Sequence, residues 1–460
     1  MSQPALFPDL PPSPKAAATP PTRPEQARTR RPVRNQVEWM PRDLDSLVAE
    51  DHPVRAIWAF LERLDLSAFY AAIKAVVERP GHPATDPRVV LALWVYATVD
   101  GVGSARRLAR LCEEHDAYRW LRGGVPINYH LLSDFRVAHQ AALDDLLTGT
   151  VAAMMTAGLV TLREVAQDGM RVRASAGAAS FRRRATLEQC LETAKERVAQ
   201  LAQQREQPDP GVSQRQREAR ERAARERQQR VEEALRQLPE VEAAKERQAK
   251  RAGKQRAAKL REARVSTTDP QARVMKMPDG GFRPGFNLEL ASDVDSQVVT
   301  GLAVINRGTD QGEALGVEEQ VVKRTGQEPE AYLFDGGFVD LKDIATLERR
   351  GVKVYAPPKG SDPSAALQEG GPMTAKPTSG RAAEPAEVAA WRERMQTEEG
   401  QGIYRDRAAT AECVNAQFRE RYGLRRFLVR GLSKVICVAL LGAIAHNLMR
   451  WIVLAAEVKG

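Results

Sequence analysis

The stretch from Thr186 to Arg264 constrains this chain more than any other. Glu, Arg, Gln, Lys and Ala dominate it, and its one strong break is "PDPG" at 208–211. Such a composition favours helix and offers little to bury, so it predicts two long charged helices forming a hairpin-like arm. In the first, Leu187, Cys190, Leu191, Ala194, Val198 and Leu201 keep an apolar stripe. In the second, "SQRQREARERAARERQQRVEEALRQ" leaves a single thin seam. The arm, residues 186–264, reads as a solvated coiled-coil spacer in preference to a clamp on a polyanion. Any compact core must then be assembled from segments on both sides of it.

Residues 1–36 are rich in proline and arginine and lack apolar periodicity, which predicts a disordered basic tail. Residues 37–160 read as a helical domain. "PRVVLALWVYATVDG" has Pro87 at a first turn, an apolar stripe and Gly101 as its stop. Ser104 is the expected N-cap of the following helix, Gly123-Gly124 its end, and Ser133 a second cap. Short helices joined by tight turns suit a DNA-binding domain and equally an all-α packing module.

The remainder, residues 161–185 and 265–460, alternates strand and helix signals. "EVAQDGM" reads as a strand ending at Asp168. "GFNLELASD" and "SQVVTGLAVIN" read as an antiparallel pair turning at Asp293 to Asp295. A helix over 313–324, a strand "AYLFDGGF" ending at Asp335, a helix over 341–351 and a strand over 352–358 follow. Residues 359–385 form a flexible connection, and helices carry Trp391, Glu412 and the apolar C-terminus. The expected fold class is therefore mixed α/β: a five-stranded sheet with flanking helices, preceded by a helical domain and interrupted by the arm.

Both Asp168 and Asp335 precede glycine at predicted strand ends, where ligands gather in open sheets. Each alone reads as a turn residue; together they would place two hard oxygen donors side by side, suited to Mg²⁺ or Mn²⁺. A carboxylate from a later helix, Glu412, would complete a cluster able to hold two ions about 3.5–4 Å apart. Glu398 and Glu399 are rivals for that third place but read as helix-end charges, and Asp310 reads as a turn or N-cap. His446 reads as a core histidine, and Trp391 as core in preference to a platform for a flipped base.

Here the motifs resemble those of DDE transposases of bacterial insertion sequences, with an RNase H-like core. "VAQDGMRVRA" matches around the first aspartate, and "GFRPGFNLELASDVDSQVVTGLAVINRGTDQGE" matches the strand pair. "AYLFDGGF" carries the second aspartate, and "IYRDRAATAECVNAQFRERYGLRRFLVRGLSKV" the glutamate. Tyr404, Arg407, Glu412 and Arg419 correspond to that family's tyrosine-arginine-glutamate-lysine signature. The arginine-to-glutamate spacing is one residue longer than in its commonest form, and arginine replaces the lysine. The resemblance implies that Asp168, Asp335 and Glu412 hold two divalent ions. It further implies metal-dependent cleavage at element ends and strand transfer to target DNA by in-line displacement. Tyr404, Arg407, Arg419 and Arg426, with Arg106 and Arg107 of the helical domain, would contact phosphates. Double-stranded DNA, as terminal inverted repeats and target site, is the implied partner, engaged by a homodimer. The alternative is a catalytically inactive DNA-binding protein derived from such an enzyme.

Charge agrees with an anionic partner: 69 Lys and Arg against 60 Asp and Glu give +9. Cys112, Cys190, Cys413 and Cys437 are scattered without a CxxC pair, which speaks against a zinc site or disulfide framework and suits a reducing cytoplasm; the resemblance implies a bacterial protein that is nucleoid-associated when bound to DNA. "VICVALLGAIAHNLMRWIVLAA" is broken by His446, Asn447 and Arg450, short of the roughly 20 apolar residues of a span. It predicts a buried C-terminal helix and no membrane partner.

Overall fold

The computed structural model describes residues 41–71, 73–75, 83–206, 211–251, 262–358 and 385–457. The expected N-terminal tail and nearly all of the 359–385 connection lie outside these residues. From Leu44 onward the chain forms one unit.

Helices come first: α1 (Pro53–Glu62), α2 (Ser67–Tyr70), α3 (Pro87–Val99), α4 (Ala105–Glu114), α5 (Asp116–Arg122), α6 (Tyr129–Ala138) and α7 (Gln140–Thr156). Local chemistry sets their ends. Pro87 opens α3 behind an Asp86 cap, and Ser104 caps α4 by accepting from the Arg107 N–H. Gly123 closes α5 in the left-handed region. Ser133 is not a cap: α6 begins earlier, at Asn128, whose side chain accepts from the Leu131 N–H at 2.9 Å.

Strand β1 (Glu164–Arg173) leads through β2 (Phe181–Arg182) into the arm, α8 (Arg184–Glu206) and α9 (Gln214–Arg251). The two helices pack together as expected, and α9 continues through Pro239. Leu187, Ala234, Leu238 and Val265 form a small core of their own at the arm's base. There β2 pairs antiparallel with β3 (Val265–Ser266), placing Phe181 opposite Ser266.

Past the arm come β4 (Arg273–Lys276), β5 (Phe282–Asp293), β6 (Val299–Ile305), α10 (Ala314–Thr325), β7 (Ala331–Leu333), α11 (Leu341–Arg349) and β8 (Lys353–Tyr355). The main sheet is mixed. β1 runs antiparallel to β5 and parallel to β7, which is parallel to β8. β4 and β6 occupy successive stretches of the free edge of β5. The five expected strands thus lie in the order β6-β5-β1-β7-β8, and β4 is an added short edge strand. β1 does not end at Asp168, because its antiparallel pairing with β5 carries it on to Arg173.

The last helices are α12 (Ala386–Arg394), α13 (Glu398–Arg407), α14 (Cys413–Ala416) and α15 (Leu432–Glu457). Two π-helical turns, Ala408–Glu412 and Gln417–Arg421, flank α14 and make one continuous helix from Glu398 to Arg421. α15 is long and apolar enough to cross a membrane, yet it packs against α3, α6, α7 and β6 as a core helix. His446 Nε2 meets the Gln297 carbonyl at 2.7 Å, and Asn447 bonds both the N–H and the C=O of Val299. Burial holds the His446 imidazole down at about 4, as a satisfied core histidine should be. Trp391 is fully buried, with its indole N–H on the Ala356 carbonyl, and is therefore a packing residue and no stacking platform.

Candidate active site

The parallel pairing of β1 with β7 matches Val165 to Tyr332 and Ala166 to Leu333. Two residues further along each chain stand Asp168 and Asp335, so the same offset aligns them where the strands part. β7 has ended by then, while β1 continues beside β5 alone. Asp335 accepts the Gly337 N–H at 2.7 Å, which fixes its carboxylate in a tight turn.

One arginine joins the pair. Arg407 Nη2 lies 3.3 Å from Asp168 Oδ1 and 3.9 Å from Asp335 Oδ2, and its side chain is 9% exposed. Asn415 donates to the other Asp168 oxygen at 2.9 Å. Arg407 and Asn415 are eight residues apart. On a regular α-helix, at about 100° per residue, they would sit about 80° out of line. A π turn accommodates one extra residue and so removes about 100°, which returns them to nearly the same face. The Ala408–Glu412 turn does this. It also gives Glu412 the direction an i+4 residue would have from Arg407, absorbing the extra residue in the arginine-to-glutamate spacing.

Glu412 is exposed on this helix, and its charge, with those of Asp168 and Asp335, acts on Tyr404. Burial raises the Tyr404 phenol first; Arg407 opposes that, and the three carboxylates add to it. Asp168 is likewise raised, by burial foremost, against the Arg407 guanidinium and with Asp335 adding repulsion. Among the described residues, no three His, Cys, Asp or Glu side chains are drawn together tightly enough to hold a metal ion as they stand. The donors nonetheless fit a hard divalent cation. They are carboxylate oxygens, two of them in register, and the positive charge between them comes from a single buried arginine.

A polar layer that sequence reasoning missed lies behind β1. The Tyr332 hydroxyl donates to Gln167, which donates to Glu289 at 3.3 Å. Asn287 donates to both Glu289 and Asp310, and Arg171 pairs with Asp310 at 3.5 Å. Glu289 is fully buried and held well above the usual carboxylate range by desolvation, with Asp310 and Asp168 adding repulsion. Gly169 is glycine because of it: a Cβ there would stand 2.8 Å from Glu289 Oε1. The carboxylate of Asp310 thus belongs to this layer and caps no helix, while its carbonyl accepts the Glu313 N–H at 3.2 Å in the expected turn. Glu398 and Glu399 stay in the exposed first turn of α13.

The other expected contacts are spread out. Arg419 falls in the second π turn, so the ideal-helix register that would stack it over Glu412 does not hold. Arg426 is exposed beside Arg173, with which it forms a parallel bridge. Arg106 and Arg107 are exposed on α4, with Arg106 over the Tyr129 ring at 5.0 Å. All four cysteines are free.

Two family models match this chain. A transposase DDE domain covers residues 377–452, including Arg407, Glu412, Asn415 and most of α15. A transposase domain known as DUF772 covers residues 42–138, from the start of the described chain through α6. Both are transposase domains, and between them they leave strands β1 to β8 unmatched. Such domains resemble those of DDE transposases of insertion sequences, which act on DNA and generally use divalent metal ions. No curated protein and no solved structure matches the chain.

Proposed function

We propose that this chain is a DDE transposase that cleaves DNA at the ends of its element and joins them to target DNA by in-line phosphoryl transfer at Asp168, Asp335 and Glu412. The observation that carries this reading is the aligned pair Asp168 and Asp335 with Arg407 between them. The strand order β6-β5-β1-β7-β8, three antiparallel strands followed by two parallel ones, supports reading the core as RNase H-like. Residues 37–160 would then serve as the DNA-binding domain, 161–185 and 265–460 as the catalytic core, and 186–264 as an inserted arm.

In this reading Asp168, Asp335 and Glu412 would hold two ions, Mg²⁺ or Mn²⁺, which would supply the positive charge that activates a water or a DNA 3′-hydroxyl and steadies the leaving oxygen. The chain's own groups prepare the site. Arg407 favours the ionised form of Asp168 in a buried setting that otherwise resists charge, and Asn415 orients its carboxylate. Tyr404 stands beside these groups, where a phenol can donate to a phosphate oxygen. Arg419, Arg426, Arg106 and Arg107 supply exposed or half-exposed positive charge for the DNA backbone. A homodimer on paired ends, acting in the bacterial cytoplasm at the nucleoid, completes the proposal.

The test is Mg²⁺-dependent nicking of a plasmid that carries the element's ends. Wild type should nick, and Asp168→Asn, Asp335→Asn and Glu412→Gln should lose nicking by at least about 10²-fold while still binding DNA. Equal nicking by wild type and Asp335→Asn would remove the assignment. Binding by all without cutting by any would favour the inactive DNA-binding alternative.

A further inference from the structure

We propose that the cavity between α3, α6 and the Tyr422–Leu428 loop is an oxyanion site in which Arg136 grips a phosphate group. The cavity measures about 230 Å³ and is lined by Trp94, Thr98, Gly103, Arg136, Arg425 and Arg426, among others. Its charged lining is arginine alone. A neighbouring cleft of about 610 Å³ also reaches Arg136 and carries Arg230, Arg430 and Lys434, but Asp134, Glu226, Glu233 and Asp269 balance them, so it is the less suited of the two to an anion.

Arg136 is the unusual group. It is 7% exposed, and among the described residues no carboxylate pairs with it. Its Nη1 donates to the Gly103 carbonyl, and its guanidinium lies 4.6 Å from the Trp94 ring centroid. Its Nε has no partner. Burial accordingly brings this guanidinium down to about 10. Burying an unpaired charge is costly, and a guanidinium presents five donors in a planar fork that matches a phosphate. Arg425 is engaged with Glu420, while Arg426 is exposed at the cavity wall. The surrounding backbone is tightly fitted: Gly101 and Gly423 both have positive φ, and a Cβ on Gly423 would stand 3.0 Å from the Gly101 carbonyl oxygen. The cavity is thus shaped by two crossing loops and keeps its cation in place.

The phosphate can come from a DNA backbone or from free phosphate. The DNA source rests on the transposase reading above; the free-phosphate source does not. Two measurements on the full-length protein separate them, and neither depends on DNA cleavage. In the first, thermal midpoints of wild type and Arg136→Met are followed against inorganic phosphate, with chloride at matched ionic strength. A saturable rise in wild type that Arg136→Met lacks is the expected result. In the second, binding to a short duplex is followed against salt, and Arg136→Met should reduce the slope of log affinity against log salt by about one if the DNA backbone is the occupant. A phosphate-dependent midpoint with an unchanged slope supports free phosphate as the ligand. If Arg136→Met does not fold, Arg136→Lys keeps the charge without the fork and should weaken the phosphate response. No phosphate response in wild type, together with an unchanged salt slope, makes Arg136 a prop for the Gly103 loop and overturns the proposal.

Discussion

The guanidinium of Arg407 donates to the carboxylate of Asp168 at 3.3 Å, joining residues 239 positions apart. Removing it leaves Asp168, already resistant to ionisation through burial, without its main counter-charge. Arg407→Met should cost about 3 kcal/mol near neutral pH. Loss of the cation raises Asp168 further, so the folded variant keeps its proton to higher pH than the unfolded chain. The deficit relative to wild type should therefore shrink on acidification, where Asp168 is neutral in both. Thermal melts at acidic and neutral pH check this, and an equal deficit at both would sink the assignment.

The π turn at Ala408–Glu412 makes a prediction about chain length. Ala409 is exposed within it, so deleting Ala409 should restore a plain α-helical path and keep Arg407 and Asn415 on one face. Nicking activity should survive the deletion. A comparable deletion in the regular part of α12, at Ala390, should cost far more stability because everything beyond it turns by about 100°. Abolished nicking with an intact fold after Ala409 deletion would contradict the register argument.

Glu318 is fully buried, and Arg350 lies 3.1 Å away. Desolvation, followed by its hydrogen bond and repulsion with Glu328, raises its carboxyl above the ordinary 4.5. The folded state then binds more protons than the unfolded one. The stability that Glu318 contributes is full below 4.5 and is lost as pH climbs toward the raised value. Glutamine does not titrate, so the thermal midpoint of Glu318→Gln should gain on wild type steadily as pH rises. A constant difference across that window would refute the shift.

Asn447 clasps both backbone groups of Val299 at the start of β6, at 2.8 and 2.9 Å, and is fully buried. Asn447→Ala leaves a buried N–H and C=O unsatisfied and should cost about 3 kcal/mol in a urea titration. A loss below about 1 kcal/mol would mean that water replaces the side chain.

The β5–β6 hairpin and the two crossovers through α10 and α11 were legible because alternation, helical spacing and glycine stops agreed there. β2, β3 and β4 were not, since strands of two to four residues carry too few alternations to register. The two aspartates were legible as a pair through their shared Asp-Gly context. The extent of β1 was hidden because its continuation depends on β5, more than a hundred residues away. Glu289 was not legible, because one polar residue in an alternating strand does not reveal that it is buried. The available signal was a glycine, Gly169, that only the opposite strand explains. The π turn left a single trace, the extra residue between Arg407 and Glu412.

The arm leaves and rejoins the body through β2 and β3, whose residues Phe181 and Ser266 sit side by side. A segment whose two feet stand on adjacent tiles can grow, shrink or be swapped for another hairpin without sliding any strand of the main sheet. It is a ready graft point, where evolution or a protein engineer can exchange the appendage while the main sheet keeps its shape.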